Sequence, residues 1–427
     1  MPCHFVRWMT VAVGLTASTI VAGAGTPSIR TGAETLALRI RANANANASA
    51  DAGAPTPASL GQKIFFDPSL SASGAMACST CHDPAHAHAP ANDLAVQFGG
   101  PLLDQAGTRA VPSLRYLNGF GFFFDNEGTP TGGFNRDGRA MSLMDQAERP
   151  FLSANEMANG DAATFVARLE LARYADEFRQ VFGADAFDDA DGAFLRARFA
   201  IEAYEKSEPM LHRFDSKYDF FLAGKVMLSP AELRGLALFN RPDKGNCQGC
   251  HPAARGSDGS LPLFTDYTYD NLGLPRNAEI PANADPAYFD LGLCGPSRTD
   301  LAGRTDLCGA FKVPTLRNVA TRQVFFHNGL FKTLRDALRF YVRRDTNPDE
   351  FYPTDANGIV DKFDDLPLEM HRNVNTGEVP YDRHPGQAPH LDDAEIDDVV
   401  AFLGTLTDGY DPATDTADPV RPLAPQN

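Results

Sequence analysis

CSTCH at residues 78–82 is the stretch from which the fold of this 427-residue chain can be worked out. The thiols of Cys78 and Cys81 can form thioethers with the vinyl groups of one haem, and the imidazole of His82 can bind the iron. The two-residue spacer brings both sulfurs to one edge of the porphyrin. The pattern recurs as CQGCH at residues 247–251, and this repetition predicts two covalently bound c-type haems.

The second copy of the pattern gives Cys247, Cys250 and His251 the same roles. A zinc site built from both cysteine pairs and both histidines is the alternative, because zinc takes thiolate and imidazole ligands. Zinc chemistry does not require a histidine directly after the second cysteine in both places. The repeated spacing therefore favours haem.

Each haem pattern follows a similar segment, GQKIFF at residues 61–66 and GLALFN at residues 235–240. Apolar residues at helical spacing predict a short helix in both places. The echo predicts a mainly α protein of two cytochrome c-like haem domains with long irregular loops. We expect an N-terminal domain at 57–225 and a C-terminal domain at 226–410.

Other helices are predicted by the same apolar spacing over 162–182, 193–206, 333–343 and 392–406. Ser229, Pro230 and Glu232 predict a capping box at the start of the helix that precedes the second haem pattern. Gly- and Pro-rich stretches at 107–160 and 252–330 are predicted to be loops that build the site.

The two ends of the chain are predicted to lie outside the folded domains, and the N-terminal end predicts export from the cytoplasm. Residues 1–24 have the charged start, apolar run and small-residue cleavage site of a signal peptide. Residues 25–56 form an Ala- and Asn-rich linker predicted to be disordered, and 411–427 form a tail. No later stretch is long and apolar enough to span a bilayer, so we expect a periplasmic protein without a membrane anchor.

Charge and cysteine content narrow the partners and the compartment. The formal net charge of −17 disfavours nucleic acid and anionic lipid. It suits a basic or dipolar redox partner, although it equally fits a solvated surface. Cys294 and Cys308 lie outside the haem patterns, and in an oxidising compartment they predict a structural disulfide.

Three further segments accompany the haem patterns: DGR at 137–139 with QA at 146–147 and NEM at 155–157, FKVPTLRNV at 311–319, and FHNG at 326–329. Together they resemble the bacterial di-haem cytochrome c peroxidase and MauG family over residues 57–408. The resemblance implies a peroxidatic first haem with an open or readily opened distal side. It also implies a six-coordinate second haem that handles electrons.

The same resemblance implies the site residues. Glu156 corresponds to the distal carboxylate that moves the peroxide proton, and Gln146 to a second pocket residue. Tyr341 falls at the sixth ligand of the second haem, as in the MauG-like branch, where ordinary cytochrome c peroxidases have methionine. A core tyrosine without a metal bond is the alternative for Tyr341, and Met370 is a rival ligand.

The chain also departs from the family pattern. Arg136 stands where the family commonly has a tryptophan between the haems. Ala110 stands at the Asn position of an inter-haem calcium site, and residues 322–324 stand at its Thr-x-Pro segment. One side-chain ligand is thus lost while backbone carbonyls remain, so calcium stays open. His86 and His88 are expected in a flexible exposed loop rather than as ligands, and His327 is expected to support the second haem through a hydrogen bond.

These observations predict an oxidoreductase of the cytochrome c peroxidase type. It would reduce hydrogen peroxide through high-valent iron, with electrons from a small redox protein such as a cytochrome c or cupredoxin. The first alternative is a MauG-like enzyme that oxidatively modifies a partner protein. The second is a non-catalytic di-haem electron-transfer cytochrome.

Overall fold

The computed structural model describes residues 53–117 and 119–421. The predicted signal peptide, most of the predicted linker and residues 422–427 lie outside the described residues. The described chain is mainly helical, with short strands that pair into small two-stranded antiparallel sheets, as the sequence predicts. None of its helices combines the length and apolar character needed to cross a bilayer.

The helices of the described residues are α1 (Pro57–Phe65), α2 (Cys78–Cys81), α3 (Leu143–Leu152), α4 (Ala162–Glu170), α5 (Ala175–Phe182), α6 (Ala190–Ser207), α7 (Lys217–Leu222), α8 (Pro230–Asn240), α9 (Leu334–Arg343) and α10 (Asp393–Gly404). The strand pairs are β1 (Phe98–Gly99) with β2 (Gln105–Ala106), β3 (Phe123–Phe124) with β4 (Pro130–Thr131), β5 (Tyr269–Asp270) with β6 (Phe311–Lys312), and β7 (Tyr410–Asp411) with β8 (Thr416–Ala417).

The start of α8 confirms the predicted capping box. The Ser229 hydroxyl accepts from the Glu232 backbone N–H at 3.3 Å, and the Glu232 carboxylate accepts from the Ser229 N–H at 2.7 Å. Two of the first four backbone donors of the helix are thereby satisfied.

Two predictions of secondary structure were wrong in detail. The single helix predicted over 162–182 is two helices, α4 and α5. The break lets the Tyr174 ring turn into the core, where its hydroxyl donates to Asp67 at 2.8 Å. The loop predicted over 107–160 contains α3, whose N-terminus is capped by Ser142.

Each half of the chain has its own apolar core. The first core is built mainly from buried side chains of α1, α3, α4, α5 and α6, and the second mainly from those of α8, α9 and α10. The change of core falls between Leu211 and Tyr218, because Tyr218 on α7 already packs in the second. The change of core thus lies a few residues before the predicted domain boundary at 225, which stays a prediction.

A glycine lets two helices cross closely in each core. A Cβ on Gly61 of α1 would lie 1.9 Å from the Ala200 carbonyl oxygen of α6, and a Cβ on Gly235 of α8 would lie 1.9 Å from the Asp398 carbonyl oxygen of α10. Only glycine permits this approach. The sequence echo that begins at these glycines is thus a repeated helix crossing.

The predicted tail is ordered through residue 421. β7 and β8 form a hairpin, and the Pro419 carbonyl accepts from Arg115 at 2.7 Å. Just before the hairpin, the buried Asp408 carboxylate pairs with Arg115 at 2.9 Å. The end of the described chain is therefore part of the fold and holds the N-terminal half.

The predicted disulfide between Cys294 and Cys308 is present. It closes a segment of the long loop region between α8 and α9.

Candidate haem sites

The first haem pattern lies in a cavity of about 180 Å³. Cys78, Cys81 and His82 line it, and so do Gln146 and Glu156, which are distant in sequence. The structure therefore brings the predicted attachment residues and the predicted distal residues into one site.

His82 is oriented to leave one nitrogen free. The short helix α2 ends at Cys81, and the His82 Nδ1 lies 3.3 Å from the His88 carbonyl oxygen. A backbone carbonyl on one imidazole nitrogen fixes the tautomer and leaves Nε2 to bind a metal. Burial lowers the pKa of His82 to about 4, so the imidazole is neutral, as a ligand must be.

The exposed loop predicted for His86 and His88 was wrong for His88. Its side chain is buried, its backbone is left-handed at φ +55°, and its Nδ1 lies 3.4 Å from the Arg115 Nε. His86 is partly exposed and pairs with Asp83 at 2.8 Å. Neither imidazole lines the cavity; His88 instead supplies the carbonyl that orients His82.

Glu156 is held by its backbone at the cavity wall. The Gly100 N–H donates to the Glu156 carbonyl at 2.8 Å. A Cβ on Gly99 would lie 2.4 Å from the Asn155 carbonyl oxygen, so this approach requires glycine. Burial raises the pKa of the Glu156 carboxyl, although Arg149 and Arg139 oppose the rise.

Gln146, on α3, lines both the first cavity and a second one. Its side chain makes no hydrogen bond to the described residues. It is positioned to contact a group bound on either side of this shared wall.

The second haem pattern lies in a cavity of about 690 Å³, lined by Cys247, Cys250, His251 and Tyr341. The His251 Nδ1 lies 2.7 Å from the Phe264 carbonyl oxygen, which repeats the arrangement at His82. Burial again lowers the pKa of the imidazole. Both histidines are therefore arranged as metal ligands through Nε2.

Tyr341 projects from α9 into this second cavity with Leu334 and Leu338, as helical spacing predicts. Its hydroxyl makes no hydrogen bond within the described residues. Burial, with the charge of Asp270, raises its pKa well above the ordinary value. Met370 does not line the cavity, and its sulfur accepts from Asn373 at 3.8 Å, so the geometry favours Tyr341 over Met370.

His327 also lines the second cavity, where its ring stacks on Phe311 at 3.5 Å between centroids. Its side chain makes no hydrogen bond to the described residues, so its support of the second haem stays a prediction.

Four cations of the second cavity wall were not predicted as site residues: Arg136, Lys312, Arg317 and Arg322. Arg317 is paired with Asp219, whereas the other three make no ion pair within the described residues. The Arg136 Nε donates to the Ala110 carbonyl at 2.7 Å, and the Arg322 Nη2 donates to the Val111 carbonyl at 2.6 Å. A signal was present in the sequence, because Lys312 interrupts an apolar stretch of the FKVPTLRNV segment. Within the described residues, no cluster of three or more His, Cys, Asp or Glu side chains is arranged to hold a metal ion.

The donor sets fit haem rather than a bare metal ion. Each cavity presents two thiols from one C-x-x-C-H pattern and a neutral imidazole whose Nε2 is free of the backbone. The larger cavity has the volume of a cofactor site, about 300–1,000 Å³ in proteins. Two such sites on two helical cores fit a di-haem protein.

Known proteins agree with this class. A family model described as di-haem cytochrome c peroxidase matches residues 55–227. The methylamine utilization protein MauG of Paracoccus denitrificans is 35% identical over 365 residues, which cover 83% of this chain and 89% of that protein. The cytochrome c551 peroxidase of Nitrosomonas europaea is 30% identical over 303 residues, covering 69% and 76%.

A solved structure leads to the same family. The diheme peroxidase BthA from Burkholderia thailandensis has a TM-score of 0.76 and 38% identity, covering 88% of this chain and 93% of that chain. The chain belongs to the di-haem cytochrome c peroxidase and MauG family. The resemblance seen in its motifs is confirmed, and the family implies haem c as cofactor.

Proposed function

We propose that the protein reduces hydrogen peroxide at the His82 site, with electrons that arrive through the His251 site. The observation that carries this proposal is Glu156, a partly buried carboxyl in the wall of the cavity that holds the first C-x-x-C-H pattern. A site that only transfers electrons has no use for a proton-accepting group at this place.

When bound, the haem supplies a binding position for peroxide and the electrons that cleave its O–O bond. Glu156 accepts the proton from the inner oxygen of peroxide and returns it to the outer oxygen, which leaves as water. Gln146, from the shared wall, positions the peroxide by hydrogen bonding.

Arg139 and Arg149 set the proton affinity of Glu156. Both line the same cavity, and their charges favour the carboxylate while burial favours the neutral acid. The effect of burial is the larger, so the pKa of Glu156 lies above its ordinary value, and the two arginines limit the rise. A carboxyl balanced in this way is suited both to take and to give a proton during the reaction.

The second site is proposed to store and pass on electrons. His251 and Tyr341 would hold its iron, and an anionic phenolate gives a lower reduction potential than a thioether. The donor is proposed to be a small redox protein, a cytochrome c or cupredoxin, in the periplasm. The acidic chain suits a donor with a positive patch.

Oxidative modification of a partner protein is the second candidate. Two observations favour it: the identity with a MauG protein along most of its length, and Tyr341 in the second cavity. The two candidates share the reaction with peroxide and differ in what supplies the electrons.

The test is stopped-flow absorption spectroscopy of the fully oxidised holoprotein, mixed with one equivalent of hydrogen peroxide and no reductant. We expect the ferric bands to be lost rapidly. Glu156→Gln should slow this step by about 10²–10⁴-fold, because the substituted amide cannot accept the proton. Glu170→Gln, a partly exposed carboxylate paired with Arg179, is the matched control and should leave the rate unchanged.

The pH dependence follows from the raised pKa of Glu156. The rate should fall as pH drops through a value above the ordinary glutamate pKa, because the carboxylate is the active form. Glu156→Gln should remove this limb. A ferric spectrum without any high-spin component, together with no reaction, would establish the electron-transfer cytochrome instead.

Reduced cytochrome c, added after peroxide, then separates the two peroxidase candidates. Rapid oxidation of the added cytochrome over many turnovers supports detoxification of peroxide. A long-lived oxidised enzyme that does not oxidise the added cytochrome favours modification of a partner protein.

A further inference from the structure

Arg136, Lys312 and Arg322 form a cluster of partly buried cations without carboxylate partners in the cavity wall, which we call the cation wall. Within the described residues, none of the three makes an ion pair. Each donates only to backbone carbonyls: Arg136 to Ala110, Lys312 to Gly133 at 2.7 Å, and Arg322 to Val111. The Arg322 Nη1 is buried without any hydrogen-bond partner.

The nearby carboxylates of Asp290 and Asp137 form ion pairs with other arginines. Asp290 accepts two hydrogen bonds from Arg109, and Asp137 accepts from Arg109 and Arg139. Their charges still act on Arg136 and Lys312, but within the described residues no acidic side chain forms an ion pair with a cation of the wall.

Such an arrangement is costly unless an anion completes it. A buried charge without a counter-ion loses its hydration with little return. Burial lowers the pKa of Arg136 to about 9 and that of Lys312 to about 8, and the neighbouring Arg322 adds to the effect at Arg136. All three cations line the large cavity, so an anion bound in that cavity would give them the ion-pair partner that they lack.

We infer that the cation wall binds the propionate carboxylates of the haems. The inference rests on haem occupying the cavities, as in the proposed function, but not on any reaction with peroxide. Two propionates per haem provide the acceptors that the described residues lack, and guanidinium groups match carboxylates geometrically.

Arg136 has a special place in this wall because it lines both cavities. Its charge therefore acts on both haems, whereas Lys312 and Arg322 line the second cavity only. The position at which the family commonly has an aromatic relay is thus an electrostatic contact shared by both haems.

Reduction potentials of the holoprotein and its variants, measured by spectroelectrochemistry, test the inference. A positive charge near haem favours the reduced iron, so removing it lowers the potential. We expect Arg136→Gln to lower the potentials of both haems, and Lys312→Gln that of the second haem alone. Arg136→Lys should restore most of the wild-type values.

The control is Lys225→Gln, which removes the same charge from an exposed position and should shift neither potential. Resonance Raman spectra give the direct readout, because the propionate bending band reports hydrogen bonding to the carboxylates. The band should move in Arg136→Gln and not in Lys225→Gln.

Three results would overturn the inference. Potentials of Arg136→Gln equal to those of Lys225→Gln would mean that Arg136 lies too far from either haem. Lowered potentials with an unchanged propionate band would mean action at a distance. Wild-type potentials that depend on whether chloride or perchlorate is present, at equal ionic strength, would assign the wall to a free anion.

Discussion

Tyr341 is the side chain with the largest proposed influence on the second haem. Burial and the nearby Asp270 charge raise its pKa, so the free phenol is neutral at ordinary pH. Binding to ferric iron requires the phenolate, and the charge of the metal must supply the free energy that removes the proton. Formation of this bond is therefore coupled to release of a proton.

Replacing this ligand should change the second haem selectively. We expect Tyr341→Met to raise its reduction potential by on the order of 0.1 V, because a thioether stabilises the reduced iron relative to phenolate. Tyr381→Phe is the matched control: Tyr381 lines the same cavity, with its ring centroid 6.0 Å from that of Tyr341. A spectroelectrochemical titration measures both. A shift in Tyr381→Phe and none in Tyr341→Met would refute the ligand assignment.

Residues could be predicted from the sequence where chemistry is local. The haem cysteines and histidines follow from adjacent positions, because covalent attachment fixes their spacing. Glu156 was predicted only from the family motif, since its place in the cavity depends on a loop closed by Gly99 and Gly100. The environment of His88 was predicted wrongly because a left-handed residue turns its side chain inward, and no local pattern indicates this.

At the scale of the helix, the two crossings explain why the chain repeats its pattern. Each domain needs a helix that passes close to a second one from much later in the domain. Gly61 and Gly235 remove the side chain at the point of contact. The residues around them then pack without a gap.

A methyl group at this crossing should separate the helices. We expect Gly235→Ala to destabilise the C-terminal domain by about 1–3 kcal/mol, since its Cβ would overlap the Asp398 carbonyl. Gly404→Ala is the control, because the Cβ it adds at the end of α10 meets nothing within 4 Å. It should be neutral or stabilise by up to about 1 kcal/mol. Urea unfolding followed by circular dichroism measures both, and equal midpoints would contradict the overlap argument.

Helix starts were easier to predict than helix continuity. A capping box depends on residues three apart, so Ser229 and Glu232 sufficed for α8. The break between α4 and α5 depends on the distant Asp67, which accepts the Tyr174 hydroxyl. The spacing of apolar residues within one segment cannot predict a contact with a residue so distant in the sequence.

At the scale of the whole molecule, Asp408 connects the two halves. Its fully buried carboxylate accepts from Arg115 at 2.9 Å, from the Tyr116 hydroxyl at 2.5 Å and from the Asn318 amide at 2.7 Å. Arg115 and Tyr116 lie in the N-terminal half, and Asn318 lies in the FKVPTLRNV segment. One carboxylate thus joins the segment of Arg115 and Tyr116 in the N-terminal half to the FKVPTLRNV segment of the C-terminal half.

Neutralising this carboxylate should weaken the whole fold. Asp408→Asn keeps the size of the side chain but leaves the Arg115 guanidinium buried without its counter-ion, which costs about 3–5 kcal/mol. Asp411→Asn, in the exposed pair with Arg421, should cost less than about 1 kcal/mol. Thermal unfolding monitored at several wavelengths tests this. If both variants have the same unfolding temperature, the Asp408 carboxylate does not hold the two halves of the molecule together.

The two-domain arrangement was predictable because the haem pattern occurs twice, whereas the contact between domains was not. Arg115 and Asp408 are far apart in sequence, and nothing in either neighbourhood indicates a partner. The stretch from 411 was accordingly predicted as a tail, although the Pro419 carbonyl just after its hairpin accepts a hydrogen bond from Arg115 of the first half.

This contact has a consequence for biosynthesis. The N-terminal domain is the first to be translated, and its phenylalanine core can assemble early. The guanidinium of Arg115, however, meets its carboxylate only when residue 408 has been added, and its backbone acceptor only at residue 419. A segment translated after the second haem pattern therefore completes the first domain, so a stop codon introduced before residue 408 would damage the half of the protein that is made earlier.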